Sequence, residues 1–236
     1  MKNIPNIITC LNLLAGCMAC TMALKYESYI GAFIFIALAA VFDFLDGFTA
    51  RILKAYSKLG AELDSLADVI SFGLAPGCVV YIYLDSISQQ LNISGLPFVA
   101  FLLPIFSAIR LAKFNIDTRQ TNSFLGLPVP ANALFWSSFI PSILPYSQTN
   151  LNFYWIITAI LLIAFCLLLV SEIPMFSLKL KNFAWKENEW SYSLLFLSIL
   201  VIFSFYFLFN SVFPGISLII IIYITMSLIK NRISKS

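Results

Sequence analysis

Long apolar runs, separated by short polar segments, follow one another along the whole chain. Each run is close to the length of about 20 residues that an α-helix needs to cross a lipid bilayer. The pattern predicts eight such helices, with bounds set to within about four residues. They cover residues 7–24, 29–51, 63–84, 96–114, 130–146, 153–170, 192–209 and 212–229. We therefore expect an all-α, polytopic integral membrane bundle with both termini on the same side.

The composition agrees with this interpretation. Of the 236 residues, 61% are hydrophobic and 11% are charged, and the mean hydropathy is +0.93. These values lie far from those of soluble domains, and the length leaves room for one compact membrane domain. The first apolar run follows a single lysine and shows no small-residue cleavage pattern, so we expect a retained span rather than a signal peptide.

Basic residues are divided unequally between the two ends of the predicted helices. Only Lys25 falls at one end. The other end carries Lys2, Arg51, Lys54, Lys58, Arg110, Lys113, Arg119, Lys179, Lys181, Lys186, Lys230, Arg232 and Lys235. Because basic residues near span ends stay in the cytoplasm, we expect both termini to be cytoplasmic and the protein to reside in the cytoplasmic membrane. The basic residues form no patch interleaved with aromatic residues, which argues against a nucleic-acid partner.

Four aspartates interrupt the second and third predicted helices. Asp43 and Asp46 are three residues apart, and Asp64 and Asp68 are four apart, so each pair shares one helical face. Clustered carboxylates repel one another unless cations neutralise them, and oxygen-only ligands suit Mg²⁺ or Mn²⁺. The pattern predicts a site for two divalent cations on these four residues. Aspartates can instead cap helix ends, but capping requires neither these spacings nor small residues between them.

Small and basic residues around the aspartates suggest which ligand binds together with the cations. Gly47 and Ala50 leave a shallow notch on the helix surface, and Arg51 offers a planar fork suited to phosphate oxygens. A nucleotide diphosphate fits these features better than a bare ion. Lys58 is either an ordinary cytoplasmic anchor or a further phosphate contact.

The segment from Asp43 to Asp68 resembles the signature of the CDP-alcohol phosphatidyltransferases. That signature reads Asp-x-x-Asp-Gly-x-x-Ala-Arg, then eight residues, then Gly-x-x-x-Asp-x-x-x-Asp, and every fixed position is met. The resemblance implies a membrane enzyme that displaces CMP from a CDP-linked lipid with the hydroxyl of a small alcohol. It implies that all four aspartates bind metal and that Asp68 is also the base. The nucleotide and its phosphates would lie against Asn6, Thr9, Asp46, Gly47, Ala50, Arg51, Lys58, Gly60 and Asp64.

A polar stripe in the first predicted helix has two possible interpretations. Asn6, Thr9 and Asn12 recur at intervals of three and share a face. Such a stripe can hydrogen-bond between helices or line the nucleotide pocket, and the resemblance favours the pocket. The chain contains no histidine, which excludes a phosphohistidine intermediate; direct attack then predicts inversion at phosphorus.

Three later segments resemble those of the phosphatidylserine synthase branch of the family. They are Phe72-Gly73-Leu74-Ala75-Pro76, the run from Arg110 to Asn115, and Gly126-Leu127-Pro128-Val129-Pro130. The glycines and proline of the first should kink or thin its helix. The resemblance implies that the acceptor is L-serine, bound by Arg110, Lys113 and Asn115, with Arg110 gripping the carboxylate as a bidentate fork. By composition alone, Arg110 and Lys113 fit positive-inside anchors equally well.

The resemblance covers about residues 4–171. We therefore expect a catalytic membrane core over residues 1–171, followed over 172–236 by an interfacial loop and two additional helices. The implied partners are CDP-diacylglycerol, L-serine, membrane lipids and a second copy of the chain in a homodimer. Two alternatives remain: the acceptor is another alcohol, such as inositol phosphate or glycerol phosphate, or the chain is a transporter with buried carboxylates. A transporter would have no need of the arginine and the small-residue notch.

Overall fold

The computed structural model describes residues 3–117, 124–176 and 185–233, and most of them are helical. Five of the basic residues used above to orient the chain lie outside the described residues: Lys2, Arg119, Lys179, Lys181 and Lys235. The elements in chain order are α1 (Ile4–Leu24), α2 (Tyr29–Ile52), α3 (Lys58–Asp68), a π-helical turn (Val69–Leu74), α4 (Ala75–Leu91), a 3₁₀ turn (Leu96–Phe101), α5 (Leu102–Ile116), β1 (Phe124–Leu125), α6 (Val129–Ser147), α7 (Leu151–Val170), β2 (Pro174–Met175), α8 (Trp185–Phe209) and α9 (Phe213–Ile233).

Short polar residues mark where several of these helices begin. The Ser28 hydroxyl accepts a hydrogen bond from the Gly31 amide at the start of α2, at 3.1 Å. Ser57 does the same for Gly60 at the start of α3, at 3.0 Å. Such caps satisfy amides that have no partner within the helix. The Ser57 cap lies within the aspartate motif and fixes where α3 starts, whereas the Ser28 cap lies at the end of α2 that is remote from the aspartates.

Seven helical segments of the described chain are long and apolar enough to cross a membrane. The all-α, polytopic membrane architecture predicted from the sequence is therefore confirmed. The eighth segment, α6, has 19 residues and differs in composition, since it carries Asn132, four serines and three prolines. Its side chains are largely buried among the other helices. Because protein rather than lipid surrounds α6, its surface need not be as apolar as that of its neighbours.

The third predicted span is longer than expected and contains an irregular turn. Helix α3 runs through the π-helical turn directly into α4, so that Lys58–Leu91 forms one segment of 34 residues. A Cβ on Gly73 would lie 3.1 Å from the Cα of Pro104 in α5, and one on Gly77 would lie 3.2 Å from the Pro104 Cδ. The two glycines thus thin the segment where α5 crosses it closely. A π-helical turn commonly accompanies a functional site, and this one follows Asp68 directly.

A two-residue strand pair ties together the loops on the aspartate side of the bundle. Strands β1 and β2 pair antiparallel, with Phe124 opposite Met175 and Leu125 opposite Pro174. The Gly126 amide donates to the Ile173 carbonyl at 2.9 Å. Gly126 has φ +75°, and a Cβ there would lie 2.5 Å from the Leu169 carbonyl oxygen, so glycine is required. The start of α6 is thereby fixed against the end of α7.

The last two helices differ in how they join the bundle. Helix α9 packs on α6 and buries Gly215, Ser217, Ile220, Tyr223, Ile224 and Ser227. Helix α8 packs along α9, and only 6% of its most apolar 18 residues are buried. Helix α9 is therefore part of the core, whereas α8 lies at the periphery.

Candidate active site

Three of the four motif aspartates meet where α2, α3 and the π-helical turn come together. Asp43, Asp64 and Asp68 each contribute one carboxylate oxygen to a group whose members all lie within 4.8 Å of one another. Asp68 is 7% exposed. Like charges this close and this poorly hydrated repel strongly. The arrangement has the donor atoms and the need for positive charge that characterise a hard divalent-cation site.

Asp46 lies beside this group rather than within it. Its carboxylate accepts a hydrogen bond of 2.7 Å from the Thr9 hydroxyl in α1, and the residue is 6% exposed. The sequence spacing places Asp43 and Asp46 on one face, but the neighbouring helices give the two residues different partners. That Asp46 binds metal therefore stays a prediction.

Helix α1 supplies a second hydrogen bond to the motif aspartates. The side-chain amide of Asn12 donates to the Asp68 carboxylate at 3.1 Å, and the backbone carbonyl of Asn12 accepts from the Ser71 hydroxyl at 2.9 Å. The polar stripe of α1 therefore bonds between helices at Thr9 and Asn12, while Asn6 and Thr9 also line a cavity. Asn12 is absent from the predicted site residues. Its position on the same stripe was the signal that could have included it.

A cavity of about 220 Å³ opens next to the aspartates. Its lining includes seven of the nine residues expected to contact the nucleotide and its phosphates: Asn6, Thr9, Asp46, Gly47, Ala50, Gly60 and Asp64. A Cβ on Gly47 would meet no other described atom within 4 Å. Protein packing therefore does not explain this glycine, whereas a ligand lying against the helix would.

The two predicted basic contacts are arranged differently. Arg51 is exposed, and its Nε donates to the Gly47 carbonyl at 3.0 Å. Lys58 is also exposed, at the start of α3. Among the described residues, the lining of the cavity includes neither of them. Their assignment to phosphate stays a prediction that depends on movement of two long, exposed side chains.

A second cavity, of about 330 Å³, lies between the end of α5 and the end of α7. Arg110 and Lys113 line it, together with Leu125 from β1 and Ser171 and Glu172 after α7. Arg110 is 6% exposed, so it is not an anchor at the membrane surface. Its Nε has no hydrogen-bond partner among the described residues. Its guanidinium lies within electrostatic range of Asp68, a member of the aspartate group.

Asn115, the third predicted serine contact, faces another way. Its carboxamide donates to the Ser65 hydroxyl in α3 at 3.0 Å, and both residues lie toward the surface. Arg110 and Lys113 share a cavity because they are three residues apart on one face, whereas Asn115 projects from the opposite side of α5. The structure brings together two of the three predicted contacts.

Comparison with known proteins agrees with the geometry. The chain is 39% identical over 132 residues to the CDP-diacylglycerol–serine O-phosphatidyltransferase of Helicobacter pylori (strain ATCC 700392 / 26695), which covers 55% of this chain and 54% of that protein. It is 35% identical over 170 residues to the protein of the same name from Methanocaldococcus jannaschii, covering 72% of each chain.

The chain thus spans about half the length of the Helicobacter pylori relative. The sequence profile of the CDP-alcohol phosphatidyltransferases matches residues 2–228, a range that includes α8 and most of α9. With nearly its whole length matched and three of the four signature aspartates gathered at one site, the chain belongs to the CDP-alcohol phosphatidyltransferase family.

Proposed function

We propose that this protein transfers the phosphatidyl group of CDP-diacylglycerol to the hydroxyl of L-serine and releases CMP. One observation carries the proposal: the buried Arg110, which lines the second cavity, lies within electrostatic range of Asp68, and Asp68 belongs to the aspartate group whose Asp64 lines the first cavity. The aspartate group therefore links the two cavities. The relatives named above carry this activity in their names.

The first cavity would hold the cytidine diphosphate part of the lipid. Gly47 and Ala50 let the ligand approach the backbone of α2, and Asn6 and Thr9 offer polar groups from α1. The acyl chains would remain in the bilayer beside the helices. Arg51 and Lys58 would approach the phosphates from the exposed rim.

The aspartates fit a pair of divalent cations, Mg²⁺ or Mn²⁺, because they offer oxygen ligands only and three of them converge within 4.8 Å. Asp43, Asp64 and Asp68 would hold the metal, with Asp46 as the fourth ligand. The bound cations would neutralise the diphosphate and stabilise the negative charge that develops on departing CMP.

Asp68 would accept the proton of the serine hydroxyl as that oxygen attacks the phosphorus attached to diacylglycerol. The serine oxygen–phosphorus bond forms, the bond from that phosphorus to the oxygen of CMP breaks, and the configuration at phosphorus inverts. Asn12 orients Asp68 through its 3.1 Å hydrogen bond. Arg110 would bind the serine carboxylate as a two-pronged donor, with Lys113 adding positive charge from the same cavity.

The site would face the cytoplasm of a cytoplasmic membrane. Helices α2 and α9 end, and α3 begins, on the aspartate side, where Arg51, Lys54, Lys58, Lys230 and Arg232 cluster. The positive-inside rule assigns that side to the cytoplasm. The homodimer remains part of the proposal, and the mass of the purified protein in detergent, corrected for bound detergent, tests it.

The deciding experiment is CMP release by the purified protein given CDP-diacylglycerol and Mn²⁺ or Mg²⁺. Serine, inositol phosphate, glycerol phosphate and ethanolamine are supplied separately. We expect release that requires serine and is abolished in Asp68→Asn. Asp85→Asn is the matched control, because that carboxylate lies in α4 toward the other end of the bundle and accepts from Gln89 at 2.9 Å.

Two outcomes would redirect the proposal. Release with another alcohol would keep the chemistry and replace the acceptor. No release with any alcohol, combined with ion flux in liposomes, would favour the transporter alternative.

A further inference from the structure

Helix α9, to which the sequence assigns no chemistry, packs against β2 beside the second cavity. Leu125 of β1 lines that cavity, as do Ser171 and Glu172, which precede β2. The pairing of β1 with β2 and the hydrogen bond from the Gly126 amide to the Ile173 carbonyl hold these segments together. Whatever fixes the strand pair therefore fixes one wall of the cavity that contains Arg110.

Tyr223 attaches α9 to the residue that follows β2. Its hydroxyl donates to the Phe176 carbonyl at 3.0 Å. The rings of Tyr223 and Phe176 also meet edge to face, with centroids 5.0 Å apart. Tyr223 is 4% exposed and Phe176 is 6% exposed, so the contact is shielded from water. The Lys230 Nζ, two turns further along α9, lies over the Phe176 ring, 5.5 Å from its centroid.

The same tyrosine lies within electrostatic range of the Arg110 guanidinium. Tyr223 thus bonds to the residue that follows β2 and lies in the neighbourhood of the cation that lines the cavity. A buried tyrosine hydroxyl requires a hydrogen-bond partner in any case, and here that partner belongs to the segment whose strand pair forms one wall of the cavity.

We propose that Tyr223 is a positioning residue for the acceptor cavity. Its hydroxyl bonds to the Phe176 carbonyl and thereby holds the β1–β2 pair in the position in which it forms one wall of the acceptor cavity beside Arg110. This inference rests on the proposed function of the cavity as the site of serine. It gives α9 a part in acceptor binding and makes the last helix necessary for substrate affinity as well as for packing.

The test is Tyr223→Phe, which keeps the ring and its edge-to-face contact and removes only the hydroxyl. Loss of one buried hydrogen bond corresponds to about a fivefold weaker interaction, so we expect KM for serine to rise by about fivefold. KM for CDP-diacylglycerol and kcat should stay within about twofold of wild type. Amide hydrogen exchange over residues 124–128 should become faster, because the Gly126 and Leu127 amides are hydrogen-bonded across this junction.

Ser217→Ala is the matched control. The Ser217 hydroxyl makes the buried contact of α9 with Ser138 of α6, at 2.9 Å. It lies six residues before Tyr223, or about 9 Å along the helix. This variant also removes one hydroxyl contact of α9, but away from the cavity. It should change neither KM for serine nor exchange over residues 124–128.

Several results would overturn the inference. They are an unchanged exchange rate in Tyr223→Phe, faster exchange with an unchanged KM for serine, or an equal rise in both KM values. The proposed function is tested separately. If the wild-type protein uses another alcohol, KM for that alcohol replaces KM for serine. If it uses no alcohol, the proposed function is wrong whatever the exchange experiment gives. Unchanged amide exchange in Tyr223→Phe would then refute the role of Tyr223 as well.

Discussion

The two cavities on the aspartate side of the bundle are built in different ways. The first is lined by residues 5–64, which belong to three consecutive helices and the loop before α3. The second is lined by the end of α5, a strand residue and the end of α7, all between residues 110 and 172. The first cavity is formed by α1, α2 and α3, which follow one another directly along the chain. The second is formed by α5, β1 and the end of α7, and α6 lies between them in the sequence.

The difference extends to what holds each site in place. Hydrogen bonds from Thr9 and Asn12 reach the aspartates directly from α1. The wall of the second cavity is held indirectly: β1 pairs with β2, and Tyr223 of α9 donates a hydrogen bond to the carbonyl of Phe176, which follows β2. We expect substitutions near the first cavity to affect the chemical step and those near the second to affect acceptor affinity.

Among substitutions of the residues that line the two cavities, Asp64→Asn should have the largest effect, because Asp64 also belongs to the aspartate group. Loss of one ligand charge should lower CMP release by about 100-fold or more. It should also raise the Mn²⁺ concentration required for half-maximal rate. CMP release measured across a metal titration checks both. A rate that falls without a change in metal dependence would contradict the assignment of Asp64 as a ligand.

Arg110→Lys should have the next largest effect. Lysine keeps the charge but not the two-pronged geometry, and a hydrogen bond to a charged group is worth about 1.5–3 kcal/mol. We expect KM for serine to rise by about 10- to 100-fold while KM for CDP-diacylglycerol is unchanged, as initial rates with each substrate varied would show. An equal rise in both KM values would remove the distinction between the two cavities. Arg232→Lys is the matched control, since it makes the same exchange at an exposed position that lines neither cavity.

Two glycine variants distinguish a glycine that leaves space for a ligand from one that close helix packing requires. Gly47→Ala adds a methyl group to open space, so thermal stability should not change. KM for CDP-diacylglycerol should rise by about tenfold, because the methyl group would occupy ligand space and one misplaced methyl group costs up to a few kcal/mol. In Gly16→Ala the methyl group would lie 2.7 Å from the Ser71 Cα, so stability should fall by about 1–3 kcal/mol. Thermal unfolding in detergent and substrate kinetics measure the two effects. Loss of stability in Gly47→Ala would argue against a ligand at that position.

The smallest effect should come from Asn115→Ala. Asn115 bonds to Ser65 near the surface, and removing such a contact typically changes stability by less than about 0.5 kcal/mol. KM for serine should stay within about twofold of wild type. A tenfold increase would restore Asn115 as a serine contact and would mean that α5 turns on binding substrate.

Helical spacing accounts for what the sequence predicted well. The apolar runs located the membrane helices, and the spacing of Asp64 and Asp68 placed both on one face because α3 is regular between them. The partner of Asp46 could not be predicted in this way, because it accepts a hydrogen bond from Thr9, which lies 37 residues earlier. Spacing within one helix contains no information about the partner that another helix supplies.

The second cavity was harder to predict for the same reason. Composition could not distinguish a buried Arg110 from a surface anchor, since both occur at the end of an apolar run. Tyr223 belongs to no motif, and its relation to Phe176 spans 47 residues. Only the folded arrangement shows that a residue of α9 bonds to the segment next to this cavity.

The polar composition of α6 has a consequence for how the protein enters the membrane. A segment with four serines, Asn132 and three prolines partitions poorly into lipid by itself. Only residues 148–150 separate it from α7, whose mean hydropathy of 2.8 is the highest among the candidate spans. We expect the two to insert together as a hairpin, with α7 supplying the free energy of transfer, and α6 to reach its central position as its neighbours close around it. The helix at the middle of the finished bundle is therefore the one least able to insert without its neighbours.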